Sequence, residues 1–224
     1  VGDNVIRLSE HPTLQSVLWG SALCNDSELE KADGDDQKLY RMVGDPTEGS
    51  LVVAAAKAGY WRKSLEEAFP RVGEIPFDSE RKRMTTIHAL EPQDGDNRRR
   101  LGVPQDGYGA IVKGAPDLVL DRCTHIQTEE GPVVLTDEQR QAVLDANAAM
   151  ASQALRVLAV AYRSLSEVPD EPSPDEFEKD LVLIGLTGMI DPARPEVIPA
   201  VKKARGAGLR TIMVTGDYAA TAAA

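Results

Sequence analysis

The segment Ala110-Ile111-Val112-Lys113-Gly114-Ala115-Pro116 constrains this chain more than any other. An apolar run of strand character ends on a single lysine and turns through glycine to Pro116. Asp117-Leu118-Val119-Leu120 then reads as the first turn of a helix. Proline suits the opening helical position, because the N–H it lacks would have no intrahelical acceptor there. One cation is thereby held at a strand end beside a glycine that lets another molecule approach the backbone, which suits an anionic ligand. The same pattern also describes a plain strand–turn–helix joint with a solvated lysine, so its meaning depends on the rest of the chain.

The 224 residues can bury a real core and hold one large domain or two small ones. Lys+Arg of 25 against Asp+Glu of 36 gives a net charge of −11. Such a chain lacks the broad basic surface of a general binder of nucleic acid or anionic membrane. Its densest basic run, Arg98-Arg99-Arg100, follows Asp94-Gly95-Asp96-Asn97 and reads as a solvated hairpin or loop. Cys24 and Cys123 have no metal-ligand spacing, which points to a reduced intracellular protein, with a single disulfide as the alternative. His11, His88 and His125 are scattered, so no metal site is expected. No apolar run approaches the roughly 18 residues that span a bilayer, nor is there a signal peptide, so no direct membrane contact is expected. Val1 opens the chain without an initiator methionine, which fits a piece of a longer protein.

Helical spacing of Leu14, Val17, Leu18, Ala22 and Leu23 predicts a helix over Pro12–Leu23 with Ser9 as its N-cap. Asn25–Lys38 reads as an acidic loop. Gly44-Asp45-Pro46-Thr47-Glu48-Gly49 leads into a helix from Ser50 that ends at Gly59. Val72–Phe77 and Arg83–Leu90 predict two strands around the charged turn Asp78-Ser79-Glu80-Arg81-Lys82. Thr136-Asp137-Glu138-Gln139 is a capping box for a helix to about residue 153. Leu155–Tyr162 and Leu181–Ile190 read as buried strands, and Val168–Glu178, rich in proline and acid, as a surface loop. After Asp191-Pro192-Ala193-Arg194-Pro195 a helix with Val197, Ile198, Val201 and Ala204 on one face stops at Gly206-Ala207-Gly208. A strand over Leu209–Val214 then opens into Thr215-Gly216-Asp217. That order belongs to a parallel doubly wound sheet. The expected architecture is a large α+β domain over 1–190 and a hinge with a partial second domain over 191–224.

The common phosphate-binding loops, the serine elbow and the paired-histidine zinc helix are all missing. A dispersed set of short motifs remains. Leu23-Cys24-Asn25-Asp26, Gly44-Asp45-Pro46-Thr47-Glu48, Phe77-Asp78-Ser79-Glu80-Arg81-Lys82, Lys113-Gly114-Ala115-Pro116, Leu155-Arg156-Val157-Leu158-Ala159, Asp191-Pro192-Ala193-Arg194 and Thr215-Gly216-Asp217 occur in that order. Together they resemble the cytosolic part of P-type cation-transporting ATPases, especially the calcium-pump-like branch. The first five look like signatures of the nucleotide-binding domain, an antiparallel sheet flanked by helices. The last two look like the hinge and one loop of the phosphorylation domain, a haloacid-dehalogenase-like α/β fold. Ser9-Glu10-His11-Pro12 matches an adenine signature of heavy-metal-pumping relatives. Those relatives lack the Phe77-to-Lys82 and Lys113-to-Pro116 elements, so the tetrapeptide is read as the start of a helix.

The resemblance implies roles for particular residues. Phe77 would stack on adenine, Glu48 would accept a hydrogen bond from its amino group, and Thr47 would line the same rim. Lys82 would guard the pocket edge, with Arg81 and Arg83 as solvated charges. Lys113 and Gly114 would form a wall, and Arg156 would meet phosphate or ribose, or else an internal salt bridge. Asp191, Pro192 and Arg194 would form the hinge. Thr215, Gly216 and Asp217 would hold the transferring phosphate by positioning and charge stabilisation. The family's phosphorylated aspartate lies in an Asp-Lys-Thr-Gly-Thr motif that this chain does not contain. The expected activity of the parent is therefore MgATP-driven cation transport, with ATP or ADP bound here and Mg2+ needing the complete parent. Its partners would be the remaining phosphorylation, actuator and membrane domains, and its location the cytoplasmic side. Two other readings stay open: a soluble haloacid-dehalogenase-type phosphatase, and a non-catalytic interaction module with a vestigial pocket.

Overall fold

The computed structural model describes residues 7–32, 40–90, 107–168, 173–191, 194–212 and 214. A 3-10 turn, Leu8–Glu10, precedes helix α1, Pro12–Leu23. Strands β1, Glu28–Lys31, and β2, Tyr40–Val43, come next, followed by α2, Pro46–Lys57, and α3, Arg62–Ala68. Strands β3, Arg71–Asp78, β4, Arg83–Ala89, and β5, Tyr108–Gly114, then lead to α4, Pro116–Leu120. Strands β6, Cys123–Thr128, and β7, Gly131–Val134, precede α5, Asp137–Ala151. The remainder is β8, Arg156–Leu165, α6, Pro174–Phe177, β9, Leu181–Met189, and α7, Val197–Gly206.

Seven strands form one sheet in the order β3-β4-β5-β8-β9-β6-β7, antiparallel throughout except where β6 runs parallel to β9. Adjacent residues of β5 point into different cores. Ile111 joins Trp19, Leu23, Leu65, Phe69 and Val160 under α1 and α3. Val112 joins Val119, Leu120, Ala159 and Leu183 under α4 and α5. A strand covered on both faces is apolar at nearly every position, which is why β5 and β8 are legible as continuous hydrophobic runs. The mixed α+β class is as expected.

Several elements differ from the sequence expectation. Glu28–Lys31 lies not in a loop but in a two-stranded ribbon with Tyr40–Val43, where the half-buried Leu29–Met42 pair is too short an apolar signal to reveal it. His11, not Ser9, occupies the N-cap position of α1, with no side-chain cap bond. Helix α2 begins four residues before Ser50, because Asp45 caps it and Pro46 opens it. The stretch expected as a surface loop over 168–178 contains α6, whose Phe177 is buried with Ile75, Ile87 and Ala110. The Thr136–Gln139 capping box is present with both reciprocal bonds.

Beyond β9 the pattern changes. Helix α7 forms as expected, yet none of its residues is buried. Leu209–Ile212 is not a strand, and Leu209, Ile212 and Val214 are exposed. An apolar run becomes a strand only where a neighbouring edge takes its backbone bonds and a layer covers its side chains. No strand pairs with it among the described residues. The expected Pro192 hinge position, the Thr215-Gly216-Asp217 loop and the Asp94–Arg100 run lie outside the described residues.

Candidate functional site

The antiparallel register brings five motif-bearing segments to one end of the sheet. Gly114 ends β5 opposite Arg83, which opens β4, and Asp78 at the end of β3 also pairs with Arg83. Arg156 opens β8 opposite Met189 at the end of β9. The N-terminus of α2 lies against this end, where Ser50 Oγ approaches Met189 Sδ at 3.5 Å.

Asp45 shapes that helix start by accepting the N–H groups of Thr47 at 2.8 Å and Glu48 at 3.3 Å. Slight burial pushes its carboxyl up. The hydrogen bonds from Glu48 and Thr47, with the Arg156 guanidinium, outweigh that and hold it below the usual carboxylate range. Gly44, at φ +117°, lets the preceding turn close on Ser27, whose Oγ donates to the Asp45 carbonyl at 3.0 Å. From the end of α1, Asn25 Nδ2 reaches the carbonyls of Ser21 at 3.1 Å and Glu48 at 2.9 Å. The Asp26 N–H donates to Glu48 Oε2 at 2.8 Å. These bonds make the Leu23–Asp26 motif a clamp on α2.

Thr47 and Glu48 are thereby aimed at the sheet end. Lys113 Nζ donates to Glu48 Oε1 at 2.6 Å, and Lys113 is only 5% exposed. Arg156 Nη1 donates to Thr47 Oγ1 at 2.9 Å. Neither cation is the lone solvated charge that a sequence reading of a strand end allows. A Cβ on Gly114 would stand 2.5 Å from the Lys82 carbonyl oxygen and 2.8 Å from Arg83 Cα, so glycine is required by the approach of backbone at the start of β4. Lys82, in the left-handed region at φ 50°, is exposed in the β3–β4 turn.

Phe77 is 63% exposed. Gly73 and Ile75, which pair with Ile87 and Thr85, share one side of β3, and strict alternation would put Phe77 there too. The ladder pairs Ile75 with Thr85 but Asp78 with Arg83, so Pro76 and Phe77 together face Met84. This bulge takes the ring off the face of Ile75. Met84 itself pairs with Lys113. Pro76 fits here because β3 is an edge strand, where a missing N–H costs little.

Sequence reasoning placed Asp45 and Asn25 within motifs but gave them no role, and it missed Glu178. Asp-Pro before an apolar run is a recognisable helix start and could have found the role of Asp45. Glu178 had no such signal. It is fully buried, and its carboxylate accepts from Arg81, from Arg83 Nε at 2.5 Å and from Thr85 Oγ1 at 2.9 Å. Arg83 is buried and Arg81 partly so, which corrects their expected role as solvated charges. The alternative of an internal disulfide is also overturned, since Cys24 and Cys123 are free and sit in different cores.

Two cavities lie away from this cluster. One of about 30 Å3 is enclosed between α1 and the sheet by Trp19, Phe69 and Ile111, and one of about 380 Å3 opens between α5 and β9. An aromatic ring standing on an edge strand makes an open shelf instead of a cavity. Among the described residues no three His, Cys, Asp or Glu side chains are grouped to hold a metal ion. Among them, too, no helix is long and apolar enough to cross a membrane.

The fold and its gathered motifs define a mixed α+β domain with charged and aromatic groups presented at one sheet end. The family described as P-type ATPase, cytoplasmic domain N, matches residues 13–196, and the chain belongs to that family. It is 41% identical over 224 residues to a calcium-transporting ATPase of Bacillus subtilis, covering 100% of this chain and 23% of that protein. It is 39% identical to the cation-transporting ATPase pma1 of Synechocystis, over 99% of this chain and 22% of the relative. The probable cation-transporting ATPase F of Mycobacterium tuberculosis is 34% identical, again over 99% and 22%. The chain thus spans less than a quarter of the length of these relatives.

Proposed function

We propose that this chain is the ATP-binding region of a P-type cation pump. In this reading residues 1–190 form the nucleotide-binding domain, and residues 191–224 the hinge and first part of the phosphorylation domain. The domain holds adenine nucleotide and presents its γ-phosphate to an aspartate outside this chain. The parent couples ATP hydrolysis to movement of a cation across a membrane from the cytoplasmic side. Calcium is the favoured ion, because the 41% identical relative is named a calcium-transporting ATPase.

The observation that carries the reading is Phe77, which a bulge leaves exposed next in the ladder to Met84 and Lys113. An aromatic face set out in this way offers a stacking platform for a base. Glu48 retains acceptor capacity on both oxygens for an adenine amino group, since each carboxylate oxygen has a second lone pair. Thr47 lines the rim, Lys82 guards the edge, and Lys113 and Gly114 form the wall. Arg156 lies within reach of ribose or phosphate on the same side. Asp191, Pro192 and Arg194 act as the hinge, and Thr215, Gly216 and Asp217 hold phosphate oxygens once the second domain is complete. Mg2+ enters with the nucleotide and the rest of the parent.

One stacked ring and a few polar contacts give a dissociation constant on the order of 0.1–1 mM. Titration of ATP into the 15N-labelled chain checks this. Base stacking is worth about 1–3 kcal/mol, so Phe77→Ala is expected to weaken binding about tenfold or more. Phe77 lies outside the core, so its truncation leaves the fold in place. Unchanged ATP-induced shifts in that variant would refute the assignment. Steady phosphate release by the isolated chain would favour the phosphatase, and no heat at several millimolar ATP would favour the interaction module.

A further inference from the structure

We infer that Glu178 is a positioning residue for the nucleotide site, acting through Arg81 on the bulge that presents Phe77. The inference rests on the reading of Phe77 as the base platform. Glu178 lies 97 residues beyond Arg81 in sequence and is completely buried. It follows Phe177, which is itself locked among Ile75, Ile87 and Ala110. The carboxylate is therefore a fixed point, and burial obliges it to be fully paired.

Its two arginine partners have different tasks. Arg83 lies within β4 at 6% exposure, and its Nε meets Oε2 at 2.5 Å while its Nη1 reaches the Arg81 carbonyl at 3.1 Å. That guanidinium neutralises the acid. Arg81 sits in the β3–β4 turn, with Nη1 on Glu178 Oε1 and Nη2 donating to the Pro76 carbonyl at 2.7 Å. One rigid fork thus joins the immobile carboxylate to the peptide immediately before Phe77. A lysine, with one nitrogen, cannot hold both ends in this geometry.

At its far end the turn is tied to β5's exit, where the Ala115 N–H donates to the Lys82 carbonyl at 2.9 Å; its remaining bonds are local. Asp78 Oδ1 accepts the N–H groups of Glu80 at 3.0 Å and Arg81 at 2.8 Å, and the Lys82 N–H donates to the Asp78 carbonyl at 2.6 Å. They fix the shape of the turn. The bulge falls where the ladder between Ile75 and Asp78 is interrupted, and Arg81 supplies the donor that holds it there.

Arg81→Ala removes the bridge while leaving Glu178 paired with Arg83 and Thr85. ATP and adenosine are each titrated into the 15N-labelled chain and this variant. The amide resonances of residues 77–82 are expected to move before any ligand is added. Both ligands are expected to weaken by the same factor, about threefold to tenfold, less than the full worth of a charge-assisted hydrogen bond because the turn keeps its other bonds. Thr85→Val, which takes a different bond from the same carboxylate, is expected to lower the urea midpoint and leave both affinities unchanged. Unaltered affinities in Arg81→Ala would overturn the inference while the nucleotide reading stands. Loss confined to ATP would also overturn it, because Arg81 would then act on phosphate directly. No binding of either ligand by the unaltered chain would overturn the nucleotide reading and this inference together.

Discussion

Lys113 is the residue whose role the structure changes most. Read as a cation at a strand end, it promises attraction for an anion. In the fold its ammonium lies on Glu48 and is nearly sealed from solvent. Its charge is matched before any ligand arrives, so what the cluster offers is a carboxylate held at a fixed angle. His88 shows a second consequence of burial. Its Nδ1 is 2.8 Å from the Phe69 carbonyl and its Nε2 is 3.0 Å from Thr86 Oγ1, so the neutral ring with hydrogen on Nδ1 satisfies both sites. Burial, first, and then Arg71 and Arg62 lower its pKa to about 4, against a raising effect from the Phe69 carbonyl. Between the ordinary value of 6.5 and about 4 the unfolded chain binds the proton and the folded chain does not. Stability is therefore full above the unfolded value and falls as pH drops through that window, by about 3 kcal/mol. Urea midpoints at pH 7.5 and pH 4.5 test this. The loss on acidification should shrink markedly in His88→Gln, and an equal loss in that variant would assign the effect elsewhere.

At the scale of elements, helix α2 matters because its first turn carries Thr47 and Glu48. Its start depends on Asp45, which takes two otherwise unpaired N–H groups. Asp45→Ala is expected to cost about 1 kcal/mol in chemical denaturation, with Asp45→Asn recovering most of it. Equal losses in both variants would show that charge and not capping sets the helix start. Elements of this kind are legible where a local signal is strong. The Thr136–Gln139 capping box and the apolar runs of β5, β8 and β9 announce themselves within a few residues. The β1–β2 ribbon does not, because among Glu28, Glu30, Lys31 and Arg41 the half-buried Leu29–Met42 pair is too short an apolar signal. Glu178 is harder still. A proline- and acid-rich stretch reads as solvated, and only closure of the sheet reveals two arginines from β4 and its preceding turn waiting for that carboxylate. The candidate site was legible as a set of motifs, but its pairings were not. Glu48 with Lys113 and Thr47 with Arg156 join residues 65 and 109 positions apart.

The whole molecule divides in how well its parts are covered. Up to Met189 every strand of the large sheet is paired and three clusters fill the space between sheet and helices. Past that point Ile190, Val197, Ile198, Leu209, Ile212 and Val214 are all exposed, and among the described residues α7 has no buried side chain. An isolated helix of ten residues is marginal in water, because nucleation costs more than so short a run returns. Its apolar face gains stability only when another layer covers it. Amides of residues 197–206 in this chain are therefore expected to exchange with deuterium close to the rate of unstructured peptide. Those of Ala159–Tyr162, buried in β8, should exchange only on global or near-global opening. Both rates come from one hydrogen-exchange experiment on the 224-residue chain, and its dependence on protein concentration adds a control. Strong protection of 197–206 that weakens on dilution would mean that a second copy covers the helix. Strong protection independent of concentration would mean that the helix is covered within one chain, and the division proposed near residue 190 would fail.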